Sequence, residues 1–169
     1  TILIGCNKAN GTKEEDNPLI GDEKISSGWV VYLDTETGLY GYKDKSGEIT
    51  IPATYKKAWD FYGGRAIVMV PSPENKYFGV LSEGIYGLID PKGNYAVEPE
   101  GLLTRVDTWH YLVAAPTEFW QGYGPDTYSV IKKKLIDGLG VVHSDTEFYY
   151  VVPVNDHLLL ANDGSKSFF

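Results

Sequence analysis

Residues 86–93 read Tyr-Gly-Leu-Ile-Asp-Pro-Lys-Gly, and residues 40–47 read Tyr-Gly-Tyr-Lys-Asp-Lys-Ser-Gly. Tyr, Gly, Asp and Gly recur in both at an offset of 46 residues, and each copy runs on into an apolar stretch. Self-similarity at such a period marks a repeat architecture, in which each unit completes its core against its neighbours. Asp44-Lys45-Ser46-Gly47 has Asp at the first and Gly at the fourth position of a type I turn, and Asp90-Pro91-Lys92-Gly93 adds a proline with φ already set. The stretches on either side are short and β-prone. The phrase therefore reads as strand, turn, strand.

Working outward, 29–33 and 39–42 flank Asp34-Thr35-Glu36-Thr37-Gly38 and read as a hairpin. Pro52 is expected to stop the strand that follows the first turn. Tyr55, Trp59 and Tyr62 lie four and three apart, a spacing that suggests a short helical turn, broken by Gly63-Gly64. Residues 66–70 are purely apolar and read as a central strand. Residues 77–81 and 85–89 restart the cycle, with 111–115 taking the place of 66–70 at an offset of 45.

Later copies are degraded. Gly140 is expected where Gly41 and Gly87 stand, 53 residues after Gly87, with the extra length placed in 116–127. Residues 157–169 read as the opening hairpin of a fourth copy that stops before its glycine. The chain thus looks like a fragment of a longer reading frame. The fold expected is all-β, an array of antiparallel β-meanders of about 46 residues each, closed like propeller blades or stacked openly. Its units are 29–76, 77–127, 128–156 and a partial 157–169, within a repeat domain of 25–169.

Composition agrees. Thirteen Tyr and 19 Gly favour short strands and tight turns over helices. A net charge of −8 without a Lys/Arg cluster argues against nucleic acid. Lys132-Lys133-Lys134 is too short a run to change that, and it reads as a strand edge or solvent face. No apolar stretch reaches the roughly 18–20 residues that span a bilayer.

Cys6 is the single cysteine, so no intrachain disulfide forms. Its setting, Leu3-Ile4-Gly5-Cys6, resembles a bacterial lipobox, the end of a lipoprotein signal peptide. Residues 1–5 would then be the remnant of that peptide, and Cys6 the lipidated residue. Residues 6–24 would be a flexible polar tether, suited to hold a folded domain off a surface. The alternative is that residues 2–6 form a buried first strand.

The repeat resembles the bacterial WG-repeat family (also called KWG repeats). Tyr40, Gly41, Tyr42, Asp44, Gly47, Pro52, Tyr55, Phe61, Gly64 and Ala66 all fall on its pattern. Tyr86, Gly87, Asp90 and Gly93 do so again. Pro99 comes one residue late, and the second copy lacks the Phe-x-x-Gly-x-Ala step. Both copies carry Tyr where the family most often has Trp. The clear match covers about residues 30–115. The resemblance implies a surface or secreted β-repeat protein in which these residues are structural: the aromatic fills a core slot, the first Gly admits a neighbouring backbone, and Asp with the second Gly makes the turn.

Chemistry is sparse. His110, His143 and His157 show no metal-ligand spacing, and no nucleophile elbow or phosphate loop occurs. No enzyme activity, cofactor or metal is expected. Two places suggest binding. Phe119, Trp120, Gln121 and Tyr123, in the insertion 116–127, offer flat apolar faces and an amide of the sort that holds sugars or peptides. Trp109 marks the point where the second copy departs from the repeat. The function expected is a lipid-anchored extracytoplasmic module binding a glycan, cell-wall or protein ligand, touching the membrane only through Cys6. The alternatives are a spacer presenting a further C-terminal domain and, more remotely, a carboxylate-dependent hydrolase.

Overall fold

The computed structural model describes residues 2–5, 28–72, 83–107, 109–114, 133–143, 145–155 and 158–164. Their regular structure is almost wholly antiparallel β. The chain divides into two compact lobes, one of Pro18–Leu103 and a discontinuous one of Thr1–Asn17 with Thr104–Phe169.

In the Pro18–Leu103 lobe, β2 (Val30–Leu33), β3 (Tyr40–Lys43) and β4 (Ile49–Tyr55) form one sheet in sequence order. The β2–β3 loop closes on Asp34, which takes the amide of Gly38 on its carbonyl at 2.8 Å and the amide of Glu36 on Oδ1 at 3.0 Å. Then β5 (Lys57–Ala58), β6 (Ala66–Val70), β7 (Ile85–Ile89) and β8 (Tyr95–Arg105) follow, with β6 between β5 and β7.

Two local expectations fail here. β4 runs through Pro52 instead of stopping at it. It is an edge strand and bulges at this point, so the absent N–H removes no ladder bond. Residues 55–62 form no helical turn. Lys56 donates to Met69, Trp59 to Ile67, and Tyr62 and Arg65 bond each other, which makes 56–69 a hairpin. Gly63 and Gly64 have φ of 59° and 71°, the backbone signature of a two-residue type I′ turn. The aromatic spacing mimicked a helix, but the Gly-Gly pair is the stronger local signal.

The discontinuous lobe holds β9 (His110–Ala114) paired with β10 (Lys134–Asp137). It also holds a sheet of β1 (Ile2–Gly5), β12 (Leu158–Asn162) and β11 (Tyr150–Asn155) in that order. Residues 2–5, read as a signal-peptide remnant or a first strand, form strand β1. Cys6 and the tether lie outside the described residues.

One hairpin recurs three times, residue for residue. Tyr40 pairs Tyr55, Tyr86 pairs Gly101, and Lys133 pairs Phe148. Lys43 pairs Ile49, Ile89 pairs Tyr95, and Ile136 pairs Val142. Asp44, Asp90 and Asp137 start the three turns with the same bonds. Each takes the amides two and four residues on at Oδ1 (2.8 and 3.0 Å; 2.8 and 2.9 Å; 2.8 and 3.0 Å). Each also takes the amide three residues on at its carbonyl, at 3.1, 3.0 and 2.9 Å. Gly47, Gly93 and Gly140 complete the turns with φ of 88°, 85° and 82°, where a β-carbon would be strained.

This corrects the alignment of the third copy. Gly140 stands with Gly47 and Gly93, not with Gly41 and Gly87, so the interval is 47 residues and no longer spacing has to be placed in 116–127. Lys134 occupies the place of Gly41 and Gly87. The fourth copy moves as well. Tyr150 pairs Asn162 and Val151 pairs Ala161, just as Lys57 pairs Met69 and Ala58 pairs Val68. β12 is thus the third repeat's counterpart of β6, not the opening of a further unit. The second repeat keeps its 45-residue offset, since Tyr111 pairs Ile136 as Ala66 pairs Ile89.

Each lobe has its own core. Tyr42, Ile51, Tyr55, Phe61, Ala66, Val68 and Ile89 are buried together in one. Leu112, Leu135, Phe148, Val151, Leu159 and Ala161 are buried together in the other. The aromatic that fills the first core is Tyr42, fully buried, with its ring 4.8 Å from that of Phe61. Tyr40, expected in that slot, is only half-buried.

Candidate functional site

The repeat residues explain themselves locally. A β-carbon on Gly41 would fall 2.5 Å from the Ile51 carbonyl oxygen, because the β4 bulge closes over it. One on Gly87 would fall 3.0 Å from both Val97 O and the Tyr95 ring. Asp44 and Asp90 spend their carboxylates on turn amides. Ser46 and the turn amides hold the Asp44 carboxyl below its ordinary value. Burial pushes Asp90 up, but the Asn94 side chain and amide and the Lys92 amide outweigh it, so the net shift is downward. Groups so fully engaged in holding their own loop are poorly placed to hold a ligand.

Residues 40–70 match the WG containing repeat. No curated protein and no solved structure gives a significant match to the chain. The matched span runs from β3 to β6, and the hairpin register described above recurs at 86–101 and 133–148. Departures from the WG pattern are then the informative positions. They collect in the discontinuous lobe, around Trp109.

There the second repeat replaces the long 56–69 hairpin by a tight turn. Val106 donates to the His110 carbonyl at 2.8 Å, and Asp107 Oδ1 takes the amides of Trp109 and His110, each at 2.7 Å. The Asp107 carboxylate also meets His110 Nδ1 at 2.8 Å. Burial pushes this carboxyl up, but the His110 ring and the two amides outweigh it and hold it below the ordinary range. The ionised carboxylate makes Nδ1 of His110 the donor.

The third turn lies beside it. Asp137, almost buried, caps the amides of Leu139 and Val141, and its Oδ2 lies 3.2 Å from His143 Nε2. The His110 and His143 rings meet edge to face at 5.6 Å, so two His–Asp pairs stand side by side. The indole of Trp109 lies against Gly138, where a β-carbon would be 2.6 Å from Cζ3 and 2.7 Å from Cε3. Nearby in the chain, Arg105 donates to the Tyr111 hydroxyl at 3.1 Å.

The outer surface of this turn differs in chemistry from its two counterparts. Leu139 is 52% exposed and Val141 54%, at positions held by Ser46 and Glu48 in the first repeat and by Lys92 and Asn94 in the second. Val142, 49% exposed, follows them where the other repeats have Ile49 and Tyr95. The backbone is the same; a polar tip has become an apolar one.

Of the binding residues read from sequence, only Trp109 is among the described residues. Phe119, Trp120, Gln121 and Tyr123 lie outside them. Trp109 precedes β9 at the His110–Asp137 end of the β9–β10 pair. Sequence reading missed the Asp107–His110–His143–Asp137 cluster because its members lie up to 36 positions apart. Leu139, Val141 and Val142 were missed because Gly140 had been aligned to the wrong glycine. Among the described residues, no group of three or more His, Cys, Asp or Glu is placed to hold a metal ion.

Proposed function

We propose that this chain is a WG-repeat binding module of the cell exterior, held to a bacterial membrane through a lipid on Cys6. Its ligand is a glycan, a cell-wall component or a protein surface. The observation that carries the binding reading is the apolar third turn. Leu139 and Val141 project from a frame that is polar in the two preceding repeats, and Trp109 and two His–Asp pairs support that frame from behind. Apolar tips beside a polar cluster suit the contact face of a sugar or a protein surface. Phe119, Trp120, Gln121 and Tyr123, read from the sequence alone, are a second aromatic candidate set.

Retention of the purified chain on glycan arrays and isolated cell-wall material tests this reading. A Leu139→Ser, Val141→Ser variant is expected to bind at least tenfold more weakly, with Trp120→Ala and Trp109→Ala testing the two aromatic candidates. Unchanged binding in all three variants would remove the proposed faces. The anchor is tested separately. Cells expressing the chain with its leader should incorporate labelled palmitate into it, and Cys6→Ser should abolish the label. Cleavage before Cys6 would also take Ile2–Gly5 out of strand β1, so the mass of the mature N-terminal peptide decides between the two roles of that segment.

A further inference from the structure

The free side of β12 is covered by β1, and the register of that pairing is informative. Ile4 pairs Leu159, Leu3 pairs Leu160, and Ile2 pairs Ala161. In the first repeat Ile89 pairs Ala66, Leu88 pairs Ile67, and Gly87 pairs Val68. Because β12 is the counterpart of β6, residue 159 corresponding to 66, the two sets are the same pairing. Ile2, Leu3 and Ile4 stand where Gly87, Leu88 and Ile89 stand. The second repeat offers the same place to β10, where Ile136 pairs Tyr111. In all three repeats this strand therefore receives an antiparallel neighbour in one register. In the first two the neighbour is the opening strand of the next repeat. In the third it is Ile2–Gly5, which comes from elsewhere in the chain.

We propose that the outer edge of β12 is a strand-acceptor site for the opening strand of a WG-type repeat, and that Ile2–Gly5 is a stand-in that fills it. The partner is an extended segment with the pattern of residues 86–90, Tyr-Gly-Leu-Ile-Asp, carried by another repeat-bearing chain. The backbone of an exposed strand edge supplies the attraction. The acceptor strand is prefixed, because Leu159 and Ala161 are fully buried, as Ala66 and Val68 are in the first repeat. An edge held by its own core has little ordering entropy left to lose on pairing. The proposal does not rest on the lipid anchor or on the ligand at the third turn. Retained, Ile2–Gly5 competes with the partner; removed, it leaves the edge open.

The experiment uses the full chain and its Leu3→Pro variant, in which the missing N–H and the ring oppose the β1 ladder. The probe is a fluorescent peptide of residues 85–92, with its Leu88→Pro form as control. The variant is expected to bind the probe at least tenfold more tightly than the unaltered chain. Bound probe should restore slow amide exchange to Leu158–Asn162. A variant that keeps protected β9 and β10 amides, yet binds the probe no better than the unaltered chain or no better than it binds the control, overturns the proposal. So does a variant that pairs only with a second copy of the chain and ignores the probe. Should Leu3→Pro fail to fold, exchange in the unaltered chain decides. The β12 amides directed at β1 should exchange at least tenfold faster than those directed at β11, and equal rates would overturn the idea.

Discussion

The α-carbon of Gly41 faces the carbonyl oxygen of Ile51 so closely that a β-carbon would come within 2.5 Å of it. Gly41 is thus a packing requirement made by the bulge in β4. Backbone cannot rotate aside as a side chain can. Gly41→Ala is expected to cost about 3 kcal/mol, and Gly87→Ala, whose nearest obstacles stand at 3.0 Å and include a movable tyrosine ring, about 1 kcal/mol. Urea unfolding of both variants checks the order. Equal losses would show that the two glycines are equally closed over, against the prediction.

Tyr42 combines burial with one directed bond, its hydroxyl donating to the Trp59 carbonyl at 2.8 Å. Burial also drives its ionisation well above the ordinary tyrosine range. Tyr42→Phe keeps the ring against Phe61 but strands that carbonyl, and should cost about 1–2 kcal/mol. Tyr42→Ala, which also empties the core, should cost about 3–5 kcal/mol. Thermal unfolding of the pair separates the bond from the packing.

Gly138 and Trp109 form a matched contact. Gly138→Ala pushes the indole outward and is expected to cost about 2 kcal/mol. The same change made in a Trp109→Ala background should cost markedly less, because the obstacle has gone. A double-mutant cycle by denaturant unfolding measures the difference. Additive losses would mean that the glycine serves the backbone alone.

Asp107 links the site to acid stability. Its folded pKa lies below the ordinary value of 3.8, so the stability it contributes is present above that value and is lost as pH falls through the folded pKa. Asp107→Asn keeps an acceptor for the turn amides but removes the charge. The variant's stability should therefore depend less steeply on pH below about 4 than that of the parent chain. Parallel unfolding curves from pH 6 to pH 2 provide the test, and identical slopes would sink the assignment.

Much of this was legible beforehand because turn chemistry is local. Asp44 to Gly47 and Asp90 to Gly93 each build their loop from their own side chain and amides, so spacing alone located them. The third turn carries the same bonds at Asp137 and Gly140, but its preceding aromatic and glycine have become Lys133 and Lys134. Without them the residues 134–140 were aligned through the wrong glycine. The Tyr55, Trp59 and Tyr62 spacing misled for a related reason. A four-and-three pattern is shared by helices and by hairpin aromatics, and only the bonds across Gly63-Gly64 distinguish them.

By itself the sequence determined the all-β class, the first two repeat turns and the likeness of 40–70 to the WG containing repeat, all of which rest on contacts within a few residues. Tertiary structure alone decided three things. It placed β12 as the third repeat's closing strand. It brought His110 to His143. It laid Ile2–Gly5 in the position that a following repeat's first strand would take. The physical reason is common to all three: strand register and edge pairing are set by hydrogen bonds and buried faces between segments far apart in the chain, and no local residue pattern encodes which partner will supply them.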